Sequence, residues 1–260
     1  MIRTLFIIAG AALVLCLVTV GGAVAIGGQD LQRHGWAWTF KDDDGETVRF
    51  ERVRGGGTDD MGPFTTRTLA WNGGETLSVD SSVNVEYVQG DAGSVVVTGP
   101  KALADRVRIE DGHIRLGDGD ERVVFGWNSG NFSARSERDE LKVVVTAPNV
   151  RRFVSNGSGD LAIVAFDQPS LTLDLSGSAD VTASGRSDAL DLTINGSGDA
   201  DLRGLTLKDA RIDIAGSGDA DLTASGQVDV QINGSGDVTL SGRPANLNSR
   251  ISGSGQVYQD

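Results

Sequence analysis

From residue 151 onward, apolar and polar residues alternate. Leu173 and Leu175, Leu192 and Ile194, Ile212 and Ile214, and Val230 and Ile232 each flank one polar residue. Leu161 and Ile163, Val181 and Ala183, Ala200 and Leu202, Ala220 and Leu222, and Val238 and Leu240 form a second such set. Period two predicts strands with one buried and one wet face. Between the sets stands a polar phrase, first seen as Asn156-Gly157-Ser158-Gly159-Asp160. Its first glycine recurs at Gly157, Gly177, Gly196, Gly216, Gly234 and Gly253, in steps of 20, 19, 20, 18 and 19 residues. Glycine tolerates positive φ, and Asn, Ser and Asp bond back to nearby amides, so the phrase is a bend. A fixed period of this size predicts one supersecondary unit stacked on itself. The predicted fold is all-β: a parallel β-helix or β-solenoid with coils of about 19 residues. Neighbouring coils should lie about 4.8 Å apart, giving a rod on the order of 25 Å long.

Upstream, the pattern divides the chain further. Residues 1–27 carry an apolar run from Leu5 to Ile26, preceded by Arg3. The run predicts an N-terminal apolar helix, either a signal anchor or a signal peptide cut near Ala23-Val24-Ala25. Either way the body is exported, with Arg3 on the inner side. Cys16 follows the bulky Leu15, which does not suit lipidation. Residues 28–69 read as a juxtamembrane linker. Trp36, Trp38 and Phe40 alternate there, and Asp44-Gly45 would turn the chain back through Val48 and Phe50. The tryptophans suit either a membrane-interface belt or one face of that hairpin. Residues 70–150 show further strands, including a hairpin through Asp111-Gly112 between Val107–Ile109 and Ile114–Leu116. Residues 117–140 read as a long loop, and 151–260 are the repeat solenoid.

The run Val83-Asn84-Val85-Glu86-Tyr87 with Gln89-Gly90-Asp91, then Ser94–Gly99, then Val143–Pro148, precedes the Asn-Gly-Ser-Gly-Asp repeats. In this order they resemble the bacterial head GIN-domain family, over about residues 70–258. Its members are exported envelope proteins described as auto-transporter adhesins. The resemblance implies a surface or adhesive role and brings no catalytic motif. No translocating barrel follows the repeats, so it implies no self-secretion machinery in this sequence.

Composition sharpens the picture. The net charge is −13, which repels phosphates and argues against nucleic acid as a partner. Glycine supplies 36 of 260 residues and the aromatics only 5%, which suits thin strands and tight turns. With one cysteine there is no intrachain disulfide.

The phrase's aspartate recurs as Asp160, Asp180, Asp199, Asp219 and Asp237. Stacked coils would place these in a column. Calcium takes carboxylate and carbonyl oxygens, so the five are calcium candidates. The alternative gives each aspartate to turn amides. No metal or cofactor is assigned. A sugar-cleaving site would need a unique carboxylate cluster. Residues 151–260 hold 15 aspartates and no Glu, His, Cys or Trp, and the aspartates recur with the turn. His34 and His113 are isolated and give no zinc pattern. The Asp42-Asp43-Asp44-Gly45 run lacks the alternation of a calcium loop. The expected function is a non-catalytic, membrane-tethered adhesive or scaffold protein of the cell envelope. Its expected partners are glycan, cell-wall material or an envelope protein. The alternatives are an envelope-stress or signalling accessory that binds a membrane protein, and a polysaccharide-acting β-helix enzyme.

Overall fold

The computed structural model describes residues 37–41, 47–52, 62–80, 82–119, 121–128 and 131–259. The N-terminal apolar run, its proposed cleavage site, His34, Trp36 and the Asp42-Asp43-Asp44-Gly45 run lie outside them. Among the described residues no helix is long and apolar enough to cross a membrane.

In chain order the first strands are β1 (Ala37–Lys41), β2 (Thr47–Arg52), β3 (Phe64–Ala70), β4 (Thr76–Val79), β5 (Asn84–Gln89) and β6 (Ser94–Pro100). A one-turn helix, Lys101–Ala104, leads to β7 (Val107–Glu110), β8 (His113–Leu116), β9 (Glu121–Asn128) and β10 (Asn131–Ser136). Then come β11 (Lys142–Ala147), β12 (Arg152–Ser155), β13 (Leu161–Gly177), β14 (Val181–Gly196) and β15 (Ala200–Gly216). The last are β16 (Ala220–Ala224), β17 (Gln227–Gly234), β18 (Val238–Ser241), β19 (Asn246–Gly253) and β20 (Val257–Gln259).

Strands β1, β2, β9 and β10 make a four-stranded sheet of their own, within one of two compact units. The expected hairpin is there: β1 and β2 pair antiparallel with Trp38 opposite Phe50 and Phe40 opposite Val48. The expected loop over 117–140 is not. β9 and β10 form a second hairpin, and β9 joins β2 in parallel. Val123, Phe125 and Trp127 do alternate in the sequence, but glycines, asparagines and charges around them mask the strand signal.

The second unit holds residues 61–118 and 137–260. Its repeats wind as a parallel solenoid of about five turns. Each coil supplies one segment to each of two sheets. The first runs β5, then the leading halves of β13, β14 and β15, then β16, β18 and β20. The second runs β4, β12, the trailing halves of β13, β14 and β15, then β17 and β19. The apolar residues of the sequence pattern all point between the sheets. Leu173, Leu192, Ile212 and Val230 stand in register one above another, each 0–3% exposed. Burying a side chain of this kind contributes about 1.5–3 kcal/mol. Only a stack shares one wall of apolar residues between two coils, which is why the coils need each other.

At the upstream end β11, β6 and β3 extend the first sheet, and the β7–β8 hairpin extends the second. That hairpin turns at Asp111 (φ 48°) and Gly112 (φ 83°), the positive-φ pair of a two-residue turn. Tyr87, Phe153 and Phe166 form an edge-to-face series, with centroids 5.0 and 6.3 Å apart. The series fastens the upstream strands to the first coil.

Candidate functional site

The polar phrases stack into one corner that runs the length of the solenoid. Gly177, Gly196, Gly216, Gly234 and Gly253 stand in register. Gly157 joins the column through its carbonyl, which accepts the Ser178 N–H at 3.2 Å. The serine amides of the later phrases bond the preceding coil likewise, as in Ser217 N–H to Gly196 O at 2.9 Å. Positive φ is only half of the reason for glycine. At Gly216 (φ 145°) a Cβ would lie 2.0 Å from the Gly196 carbonyl oxygen. At the second glycine, Gly218, it would lie 2.1 Å from the Gly198 oxygen. The backbones of neighbouring coils touch here, and no side chain fits between them.

The aspartate candidates do form a column, and their partners are amides. Asp180 Oδ1 accepts the backbone N–H of Asp199 at 3.0 Å. Asp199 Oδ1 accepts from Asp219 at 2.8 Å, Asp219 Oδ1 from Asp237 at 2.7 Å, and Asp237 Oδ1 from Gln256 at 2.7 Å. Each carboxylate therefore serves the equivalent residue of the next coil, not its own turn. Among the described residues no three His, Cys, Asp or Glu side chains are grouped to hold a metal ion. One rung is missing. No such bond links Asp160 to Asp180, and between them Ala179 takes the place of the phrase's second glycine. In the later coils a Cβ at this position would lie 2.1 Å from a carbonyl oxygen of the coil below.

A seventh corner escaped the sequence reading. Asp80, Ser82 and Asn84 stack on Asn156, Ser158 and Asp160. Asn156 Nδ2 donates to Asp80 Oδ1 at 2.8 Å, the Ser158 and Ser82 hydroxyls meet at 2.8 Å, and the Asp160 amide donates to Asn84 Oδ1 at 3.0 Å. Each pair is 76 residues apart, so β4 and β5 make a coil separated from the next by an insertion. Val83 replaces the second glycine, and no second copy at the usual spacing betrays the motif. The offset, four repeat lengths, was the only signal.

Asp80 anchors that corner. Burial raises its pKa, but hydrogen bonds from Asn156, His113, Ser78 and Arg115 outweigh this and lower it to about 2. His113 is out of phase with the buried Ile114, and its Nδ1 is 2.9 Å from Asp80 Oδ2. On the first sheet's outer face, Thr182, Asp201, Asp221, Thr239 and Tyr258 form a row beside the corner. The Arg203 guanidinium hydrogen-bonds Asp201 and holds its carboxyl at about 2. A groove of about 560 Å³ opens beside the broken rung, lined by Glu86, Lys142, Asp160, Ala162, Asp180 and Thr182 among others. Glu86 and Lys142 pair across it at 2.6 Å.

Throughout the corner, Ser158, Ser178, Ser197, Ser217, Ser235 and Ser254 are exposed. So are Asn156, Ser176, Asn195, Ala215, Asn233 and Ser252 beside them. The molecule thus shows parallel rows of polar groups: a serine hydroxyl in every coil, an Asn or Ser beside it except at Ala215, and an aspartate carboxylate in each coil but the last, which has Gln256. Fold and surface define a β-solenoid with a repeated polar edge.

The chain belongs to the family described as "Putative auto-transporter adhesin, head GIN domain", whose model matches residues 75–173 and 128–244. The solved structure of a putative adhesin from Bacteroides fragilis NCTC 9343 shares the fold, at 15% identity over 76% of this chain and 97% of that one, with a TM-score of 0.55. A putative lipid binding protein from Parabacteroides distasonis ATCC 8503 aligns at 18% identity over 81% of this chain and 100% of that one, TM-score 0.46. A putative adhesin from Parabacteroides merdae ATCC 43184 aligns at 17% over 80% and 99%, TM-score 0.45. No curated protein matches the chain.

Proposed function

We propose that the chain is a non-catalytic binding scaffold of the cell envelope, tethered to the membrane through residues 5–26 with its body on the outer side. Its repeated corner binds polar polymers, glycans or cell-wall material, through many weak contacts. One observation carries this reading: the rows of exposed Ser, Asn and Asp side chains are held at fixed spacing by backbone stacking and by the Asp180-to-Gln256 amide ladder. Groups already positioned lose little entropy on binding, and repetition multiplies weak contacts into avidity. The family's adhesin description agrees with it.

The test is co-sedimentation of the full chain with purified cell-wall polysaccharide. The variant Ser197→Ala/Ser217→Ala/Ser235→Ala removes three adjacent hydroxyls from an exposed row. It should release the chain at least tenfold more readily while leaving thermal unfolding unchanged. Equal retention of the variant overturns the reading. The accessory function draws on a separate observation, the independent sheet of β1, β2, β9 and β10. Capture of a membrane protein that depends on that sheet would favour it. Release of new reducing ends from the polysaccharide would favour the enzyme.

A further inference from the structure

The second sheet ends in β19, and all eight of its residues are exposed. Among the described residues it pairs with β17 on one side only. Exposure alone assigns nothing: among the described residues β3, β7 and β20 also have a strand on one side only. Three features set β19 apart.

The first is apolar. Leu247 continues the inward column above Val228, and Ile251 the one above Ile232, yet they are 36% and 43% exposed. Both lower residues are fully buried. The core therefore runs up to this edge and is left open there. The second is charge. In a chain of net charge −13, residues 238–259 carry no carboxylate and two arginines, Arg243 and Arg250. Gln256 stands where the five successive coils below have an aspartate. The third is register. Read about Ser249, the strand is self-complementary: Leu247 mirrors Ile251, and Asn248 mirrors Arg250.

We propose that two copies of this chain associate through β19, running antiparallel about Ser249. In that pairing Leu247 of each copy lies opposite Ile251 of the other. Two apolar columns then continue across the seam, where cross-strand apolar pairs stabilise a sheet. Asn248 lies opposite Arg250 on the outer face, with no like charges opposed. The two Ser249 hydroxyls meet at the two-fold axis on the core side and can bond each other. The unpaired backbone edge is covered by hydrogen bonds, which removes a hazard of open sheets. The contact is isologous and closes at two copies, so it gives a dimer and not a fibre. The β3 edge lacks this complementarity. Arg67 is its midpoint, and a self-pair there would oppose two guanidinium groups. Dimerisation doubles the polar rows without depending on what they bind.

Cysteine cross-linking of the full chain in mild detergent tests the register, with Cys16→Ser as background. Directly opposed Cβ atoms lie about 4.5–5.5 Å apart, close enough for a disulfide after slight adjustment. Ser249→Cys should therefore oxidise to a covalent dimer. Leu247→Cys alone should not, because its own copy lies four residues out of register, roughly 13 Å away. A mixture of Leu247→Cys with Ile251→Cys should link. Without cysteines, Ser249→Asp opposes two carboxylates and should abolish the dimer in sedimentation equilibrium. An unlinked Ser249→Cys chain, equal linking of Leu247→Cys alone, or assemblies larger than two copies would each overturn the proposal.

Discussion

At the residue scale, the second position of the phrase separates two explanations of glycine. Gly218 has no positive φ, so if conformation alone mattered, alanine would cost little there. The Gly218 Cβ would instead meet a backbone oxygen at 2.1 Å. Gly218→Ala should therefore lower stability by at least the roughly 1–3 kcal/mol of an overpacked core, measured by urea unfolding. The reverse change, Ala179→Gly, should be close to neutral. It admits the missing Asp160–Asp180 rung, worth about 1 kcal/mol net. It also adds chain entropy to the unfolded state, costing about 0.5–1 kcal/mol. Asp80 gives a pH prediction. Its carboxyl titrates near 3.9 when unfolded and at about 2 when folded. A depressed pKa contributes stability above the unfolded value, and this is lost as pH falls from about 4 to 2. With a side chain 20% exposed, the contribution at neutral pH is about 1–2 kcal/mol. Asp80→Asn should cost that much at pH 7 and only a small remainder at pH 2, where the carboxyl is half protonated. A pH-independent loss would contradict the assignment.

At the element scale, the aspartate ladder joins coils that the apolar core already holds together. Asp219→Ala should cost about 1 kcal/mol, because the Asp237 amide loses its acceptor. Asp219→Asn keeps an acceptor oxygen and relieves repulsion along the column, so its stability should match or exceed that of the parent, most clearly at low salt. The same ladder makes a prediction about calcium. Thermal midpoints with calcium and with chelator should agree. A large calcium-dependent rise would show ligation and overturn the amide reading. Alternation and the 18–20-residue step made these strands and corners legible in the sequence. The direction of the aspartate bonds was not legible, since an amide one coil away is no nearer in sequence than any other.

At the scale of the whole molecule, the upstream strands cover the first coil. Tyr87 packs edge-on against Phe153, β4 pairs with β12, and β5 pairs with β13. Removing residues 70–150 should leave a 151–260 fragment whose exposed edges and apolar interior drive aggregation. A soluble, monomeric fragment with strand-type circular dichroism would contradict this.

The sequence by itself determined the coil, because a period of two within a period near 19 has one economical solution: strands that stack to bury a shared apolar wall. It determined the corner for the same reason, since glycine and short polar side chains recur only where the backbone must bend and touch. Tertiary structure decided what repetition does not encode. It placed Asp80-to-Asn84 on the corner across 76 residues, because stacking depends on register and not on chain distance. It turned 121–136 into a hairpin, because pairing partners outweigh local composition. It gave the aspartates to amides of neighbouring coils, because only the assembled stack brings those donors within reach.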